Sequence, residues 1–160
     1  MNQLRIEPWS TEDRPLLERL LGDPEMTTHL GGPEAPEKLA QRQRRYETEG
    51  SRQYRVVALD GQAVGYVGYW ERRWQDEDAW EVGWAVVPEF QGRGYATTAM
   101  RLLLDVIRAD ARRPVHAFPS VDNAASNAVC RKLGFELVGP FDFEYPPGNP
   151  LRCNDWRLEI

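Results

Sequence analysis

Apolar residues change their spacing several times along this chain, and each change marks an element. Leu4 and Ile6 alternate with polar neighbours, the two-residue period of a short strand. Leu16, Leu17, Leu20 and Leu21 recur at helical spacing, behind Ser10 or Thr11 as a cap and ahead of Gly22 as a stop. Asp23-Pro24 predicts a short helical segment to Leu30, broken by Gly31-Gly32-Pro33. Residues 36–49 predict a charged helix with few apolar anchors, Leu39 and Tyr46 among them. That is first a solvated face, and second a lid over a substrate.

From Gln53 the period falls to two. Tyr54 to Leu59 predicts a strand, Asp60-Gly61 a hairpin turn, and Ala63 to Trp70 the returning strand, running on towards Trp74. Gln75-Asp76-Glu77-Asp78 is a polar turn, and Trp80 to Val87 a third strand ended by Pro88. Met100, Leu103, Leu104 and Ile107 then give a helix from Gly94 to about Asp110, with one face for a sheet. Val115 to Phe118 is a strand. Asp122 or Asn123 caps a helix through Leu133, closed by Gly134. Phe135 to Val138 begins another strand and Arg152 to Ile160 is the final one, with a loop over 145–150. This order predicts one mixed α/β sheet in a single domain over residues 1–160.

Composition narrows the function. The 160 residues are 41% hydrophobic and 28% charged, as in a globular protein. A net charge of −5 argues against a nucleic-acid binder, whose affinity comes from clustered Lys and Arg. Two cysteines without C-x-x-C spacing and two histidines give no metal cluster. The start carries no apolar signal segment, and no run reaches the roughly 20 apolar residues of a membrane span. The expectation is a cytoplasmic protein without metal, nucleic-acid or membrane partners.

The chemistry concentrates at Gln91-Gly92-Arg93-Gly94-Tyr95-Ala96-Thr97, between a strand and a helix. The first turn of a helix leaves backbone N–H groups free, and the macrodipole adds positive potential. Gly92 and Gly94 would let an anion approach, so amides from Gly92 to Thr97 could hold a phosphate or pyrophosphate. The context excludes a Walker loop, which needs Gly-Lys-Ser/Thr, and a dinucleotide fingerprint, which needs a third glycine in a βαβ unit. Taken alone, the turn is equally a plain connector.

A second segment adds to it: Asn123, Ser126 and Lys132-Leu133-Gly134-Phe135 on a capped helix. Together the two resemble the Q/R-x-x-G-x-G/A acyl-CoA loop and second cofactor motif of the GNAT superfamily of N-acetyltransferases. Asp23-Pro24-Glu25 and Leu30-Gly31-Gly32-Pro33 are similar to the N-terminal part of its ribosomal-protein N-terminal (alanine/serine) acetyltransferase subfamily. The resemblance covers nearly the whole chain. It implies a mostly antiparallel sheet of about seven strands flanked by helices, with two splayed strands forming an acyl-CoA cleft. It implies acetyl-CoA as co-substrate and an amine acceptor, either a protein N-terminus or a small molecule. The splayed strands map onto Trp80–Val87 and Val115–Phe118. Val86 and Val87 would give backbone contacts to the pantetheine arm, as an added strand does. Gln91 to Thr97 would take the pyrophosphate, with Arg93 adding charge, and Asn123 would lie near the pantetheine.

For the base the expectation is Glu81, since an acid near this place serves so in many relatives. Gly83 and Ala85, on its strand face, would leave room for a substrate. Many relatives carry a tyrosine seven residues after the asparagine as general acid; here that position is Cys130. Ser126 matches a serine proposed for this role in the subfamily. Trp70, Trp74, Trp80 and Trp84 crowd the meander. They are core, or they line an acceptor pocket, with Trp70 and Trp84 the chosen pair; His116, in the strand after the long helix, faces the same acceptor or is a satisfied sheet histidine. The alternative function is a non-catalytic acyl-CoA sensor of the same fold. An edge strand near the C-terminus is compatible with a homodimer.

Overall fold

A computed structural model describes residues 4–144 and 147–160. Its element order is β1 (Arg5–Pro8), α1 (Arg14–Leu21), α2 (Pro36–Glu47), β2 (Gln53–Val57), β3 (Ala63–Trp74), β4 (Glu77–Val86), α3 (Tyr95–Arg108), β5 (Val115–Ala117), α4 (Ala124–Lys132), β6 (Glu136–Glu144) and β7 (Pro150–Leu158). The strands form one seven-stranded sheet in the order β1-β2-β3-β4-β5-β7-β6. All neighbours are antiparallel except β4 and β5. The expected mixed, mostly antiparallel sheet with flanking helices is present.

Alternation along the strands assigns the two faces. Tyr66, Gly68, Trp70, Arg72 and Trp74 of β3 share a face with Ala79, Glu81, Gly83 and Ala85 of β4. Tyr46 of α2 stacks on Tyr66 with ring centroids 5.3 Å apart, which puts α2 over this face. The opposite face carries Val67, Tyr69, Trp80 and Val82, all buried. There the Trp80 indole donates to the Ala111 carbonyl just beyond α3, and the Trp156 indole donates to Asn127 of α4. The predicted stripe of α3, Met100, Leu103, Leu104 and Ile107, is buried throughout.

One expectation needs correction. Residues 24–31 form turns and not a helical segment. Thr27 and Thr28 turn their hydroxyls back onto the carbonyls of Asp23, Pro24 and Glu25, and backbone bonds converge on the Thr27 carbonyl from Leu30 and Gly32. Such hydroxyls compete with helical hydrogen bonding. The strand expected to begin over Phe135 to Val138 is β6, which runs on through Pro140 to Glu144. Proline is tolerated there because β6 is an edge strand. The loop predicted over 145–150 falls partly on Tyr145 and Pro146, outside the described residues.

Candidate active site

β4 and β5 pair over only two positions, Trp80 with Val115 and Glu81 with His116. Beyond them β4 continues to Val86 while β5 stops at Ala117, and the sheet opens between them. The Trp80 N–H points across to the Pro114 carbonyl, and the Val87 N–H points the other way, to Val64. By alternation the backbone groups of Val82, Trp84 and Val86 face the opening. The Val86 carbonyl there accepts from the Gln91 side chain at 2.9 Å. Both backbone groups of Val87 are engaged within the protein, its N–H by Val64 and its carbonyl by Phe90.

At the mouth of the opening stands the glycine turn. Gly92 and Gly94 have φ of 75° and 79°, the left-handed region that glycine adopts most cheaply. A Cβ at either would meet no atom within 4 Å, so both face open space. Among the described residues none accepts from the N–H groups of Gly92 through Thr97; the first bond of α3 is Thr98 N–H to the Gly94 carbonyl. The Gln91 side chain is spent on Val86, and the Arg93 guanidinium lies over the Phe90 ring at 5.1 Å. The turn is anchored from outside by Arg19 of α1, bonded to both Glu89 oxygens at 2.6 Å. This cradle suits an anion with several acceptor oxygens, such as a pyrophosphate.

The end of β5 leads to the N-terminus of α4. Asn123 caps it, its Oδ1 accepting from the Ser126 N–H at 3.1 Å. The half-buried Ser126 has no recorded partner for its hydroxyl among the described residues. Next to it lies Asn127, buried and fully engaged: its amide donates to Ser120 and Asn123 carbonyls, and its oxygen accepts from Asn154 and Trp156. Cys130 is buried, and burial pushes its thiol up to about 12. Such a thiol is a poor acid and a poor nucleophile at neutral pH.

Glu81 sits at the base of the opening, its side chain 19% exposed and 3.7 Å from the Arg72 guanidinium. Burial raises its carboxyl above the usual range, with the Arg72 charge and then the Trp70 side chain pulling the other way. The room expected beside Gly83 is taken: the Trp70 indole lies over it, so that a Cβ there would come within 3.0 Å of the ring. Trp70 and Trp74 share the face of Glu81, whereas Trp80 and Trp84 stand on the other face. The expected Trp70–Trp84 pair is therefore not brought together. The signal was available, because a hairpin turn with an even number of residues pairs even positions of one strand with odd positions of the next.

His116 is on the face of Glu81, buried at 2% exposure, with its Nδ1 2.6 Å from Asp155 Oδ1. Asp155 is buried too and accepts the Trp74 indole N–H on its other oxygen at 3.0 Å. The His116 ring stacks on Phe118, and Trp74, Phe118 and Phe141 form an aromatic cluster around it. Asp155 was missed in sequence, since nothing local ties a residue of the last strand to a histidine 39 positions earlier. Among the described residues no cluster of His, Cys, Asp and Glu could hold a metal ion, and no helix is long and apolar enough to cross a membrane.

Comparison with known proteins agrees with this geometry. Residues 3–136 match the family model of the acetyltransferase (GNAT) domain. No curated protein matches the sequence significantly. Among solved structures, a GNAT-family acetyltransferase from Bacillus anthracis superposes with a TM-score of 0.81 at 18% identity, over 99% of this chain and 96% of that one. A spermidine N-acetyltransferase from Vibrio cholerae, bound to CoA and spermine, gives 0.80 at 17%, over 98% and 95%. A ribosomal-protein-S5-alanine acetyltransferase from Vibrio fischeri gives 0.76 at 15%, over 99% and 94%. At these identities the likeness establishes the fold.

Proposed function

The chain belongs to the GNAT acetyltransferase family, and from that premise we propose that it is an N-acetyltransferase, moving an acetyl group from acetyl-CoA to a primary amine by direct attack. One observation carries the reading: the β4–β5 pairing breaks immediately after Glu81, and the glycine turn with its unused amides stands at the mouth of the gap. The pantetheine arm lies along Val82, Trp84 and Val86 as an added strand. The pyrophosphate rests on the Gly92 to Thr97 amides. Asn123 and Ser126 approach from the α4 side, and the acceptor enters over Glu81, Trp70 and His116.

Holding the amine and thioester together lowers the barrier by removing the entropy of encounter. The amine arrives as an ammonium with pKa near ~10, so it must first lose a proton. Glu81 takes it; its raised pKa makes it a better base than an ordinary carboxylate. Cleft-facing N–H groups of β4 steady the thioester oxygen. The thiolate leaves with a proton from the Ser126 hydroxyl or from water, because Cys130 is too weak an acid.

Arg72 bears on the acceptor. Its buried Nε, beside Glu81, has no hydrogen-bond partner among the described residues. That favours an amine with a carbonyl oxygen close by, as at a peptide N-terminus, over a polyamine, which would add positive charge against Arg72.

Calorimetric titration with acetyl-CoA, CoA and ADP, followed by thiol release with a panel of amines, tests the proposal. Tight acetyl-CoA binding and turnover support it. Binding without thiol release from any amine leaves a sensor domain, and absence of binding removes the assignment.

A further inference from the structure

His116 Nε2 is buried and has no partner among the described residues. A buried polar atom left unsatisfied forfeits its hydration with nothing in return, so each one calls for an explanation. With Asp155 as a carboxylate, Nδ1 carries the imidazole hydrogen and donates it to Oδ1. Nε2 is then a bare lone pair in an apolar setting of Phe118 and Trp74. The Trp74–Asp155–His116 chain fixes both the tautomer and the ring orientation. Fastening β5 to β7 does not require it, because the two strands already pair through Val115, His116 and Ala117.

The position of the ring gives the lone pair a use. His116 is in register with Glu81 across the last rung before the sheet opens, on the same face. Adjacent strands lie about 4.8 Å apart, so one nitrogen atom between the two side chains can reach both. We infer that His116, held by Asp155, is a second proton acceptor for the attacking amine, beside Glu81. The inference rests on the acetyl-transfer reading above.

Acetylation strips two protons from the nitrogen, which gives a second acceptor beside it a use. An ammonium nitrogen that ends as an amide N–H loses two protons. The first leaves before attack, to Glu81, and frees the lone pair. The nitrogen then bonds to the thioester carbonyl carbon. As the C–S bond breaks, its electron pair stays on sulfur, and the second proton passes from nitrogen to His116 Nε2. Asp155 balances the imidazolium. One proton passes on to water and the other, through Ser126 or water, to the thiolate, which restores the two bases. The arrangement suits a primary amine, whose N–H groups can address Glu81 and His116 together.

The charged and titratable groups around the ring are Asp155, Cys153 and Arg157 on β7, Glu77 and Glu81 on β4, and Arg72 on β3. The test is the pH dependence of kcat/KM for the unaltered protein, Glu81→Gln, His116→Gln and Asp155→Asn. The amines are a short peptide with a free N-terminus, a diamine and an amino alcohol. If both groups must be unprotonated, the acid limb of the unaltered protein falls with a slope of about two, and each variant falls with a slope of about one. His116→Gln loses roughly 100-fold or more in kcat with the KM for acetyl-CoA unchanged, the usual scale of a lost general base. Asp155→Asn, which keeps the imidazole in place, shows the same single-step limb and serves if His116→Gln fails to fold. An unchanged rate and two-step limb in His116→Gln, or a loss confined to the KM for acetyl-CoA, overturns the inference alone. Absence of thiol release from the unaltered protein with every amine removes the transferase reading and the role of His116 with it.

Discussion

Replacing Gly94 by aspartate separates the effect of the turn on the fold from its effect on the ligand. Gly94 caps α3 from a left-handed backbone, φ 79° and ψ 10°. A residue with a Cβ pays roughly 1–2 kcal/mol there, and aspartate less than most. No atom lies within 4 Å of the new Cβ, so no steric cost is added. The usual gain of an aspartate N-cap is not available, because its bond to N2 or N3 needs an extended backbone. The favourable dipole term of about 0.3–1 kcal/mol remains. The net loss of stability is therefore about 0–1.7 kcal/mol, or at most about 7 °C in Tm. The anion experiences the opposite. A carboxylate about 5 Å from a pyrophosphate charge costs roughly 2–3 kcal/mol at an effective dielectric of about 20–40. Salt screening at this exposed turn brings the expected loss of acetyl-CoA affinity to roughly 10–100-fold. Calorimetry and a thermal melt on the same variant read both quantities, and the affinity loss should shrink as salt rises. Undiminished acetyl-CoA affinity in a folded Gly94→Asp protein would refute the cradle.

Other substitutions probe the remaining groups. Glu81→Gln should raise Tm at neutral pH: a carboxyl with a raised folded pKa destabilises the fold above that pKa, the penalty vanishes below the usual 4.5, and the gain should disappear there too. An unchanged difference in Tm across that window contradicts the burial argument. Cys130, with its thiol pushed up to about 12, should resist iodoacetamide at pH 8 in the folded protein, and Cys130→Ala should keep kcat within about twofold; a tenfold loss would restore this position to the mechanism. Asn127→Leu strands the Trp156 and Asn154 donors and the partners of its amide, so a loss of about 2–4 kcal/mol and a Tm lower by roughly 5–15 °C are expected. A drop under about 2 °C would show that water replaces it at little cost.

Much of the frame was legible because the signals were local. The period-two runs of β2 to β4, the stripe on α3 and the glycine turn each sit within some 15 residues, and the structure has all of them. The base of the opening was harder to read. Glu81 could be singled out by its place on β4, but Arg72, which pairs with it, His116, in register with it, and Asp155, bonded to His116, come from three other strands, and their grouping depends on register. Asn127 read as an ordinary helix interior position, because its four bonds reach Ser120, Asn123, Asn154 and Trp156, two of them far along the chain. Where β6 ends could not be read locally, because Pro140 would end a central strand but not an outer one.

Two rungs join β4 to β5, and they are what holds β1–β4 and β5–β7 in a single sheet. A ligand that lies in the gap above them takes the part of a missing strand, so the finished sheet includes a molecule the chain does not encode. Stability then becomes a function of supply. A co-substrate present at about 100 times its Kd adds roughly 2.7 kcal/mol to the folded state, and one that is scarce adds almost nothing. On this reading a cell short of the acyl donor would lose the protein's turnover and also part of its standing population, as unfolded chains pass to proteases.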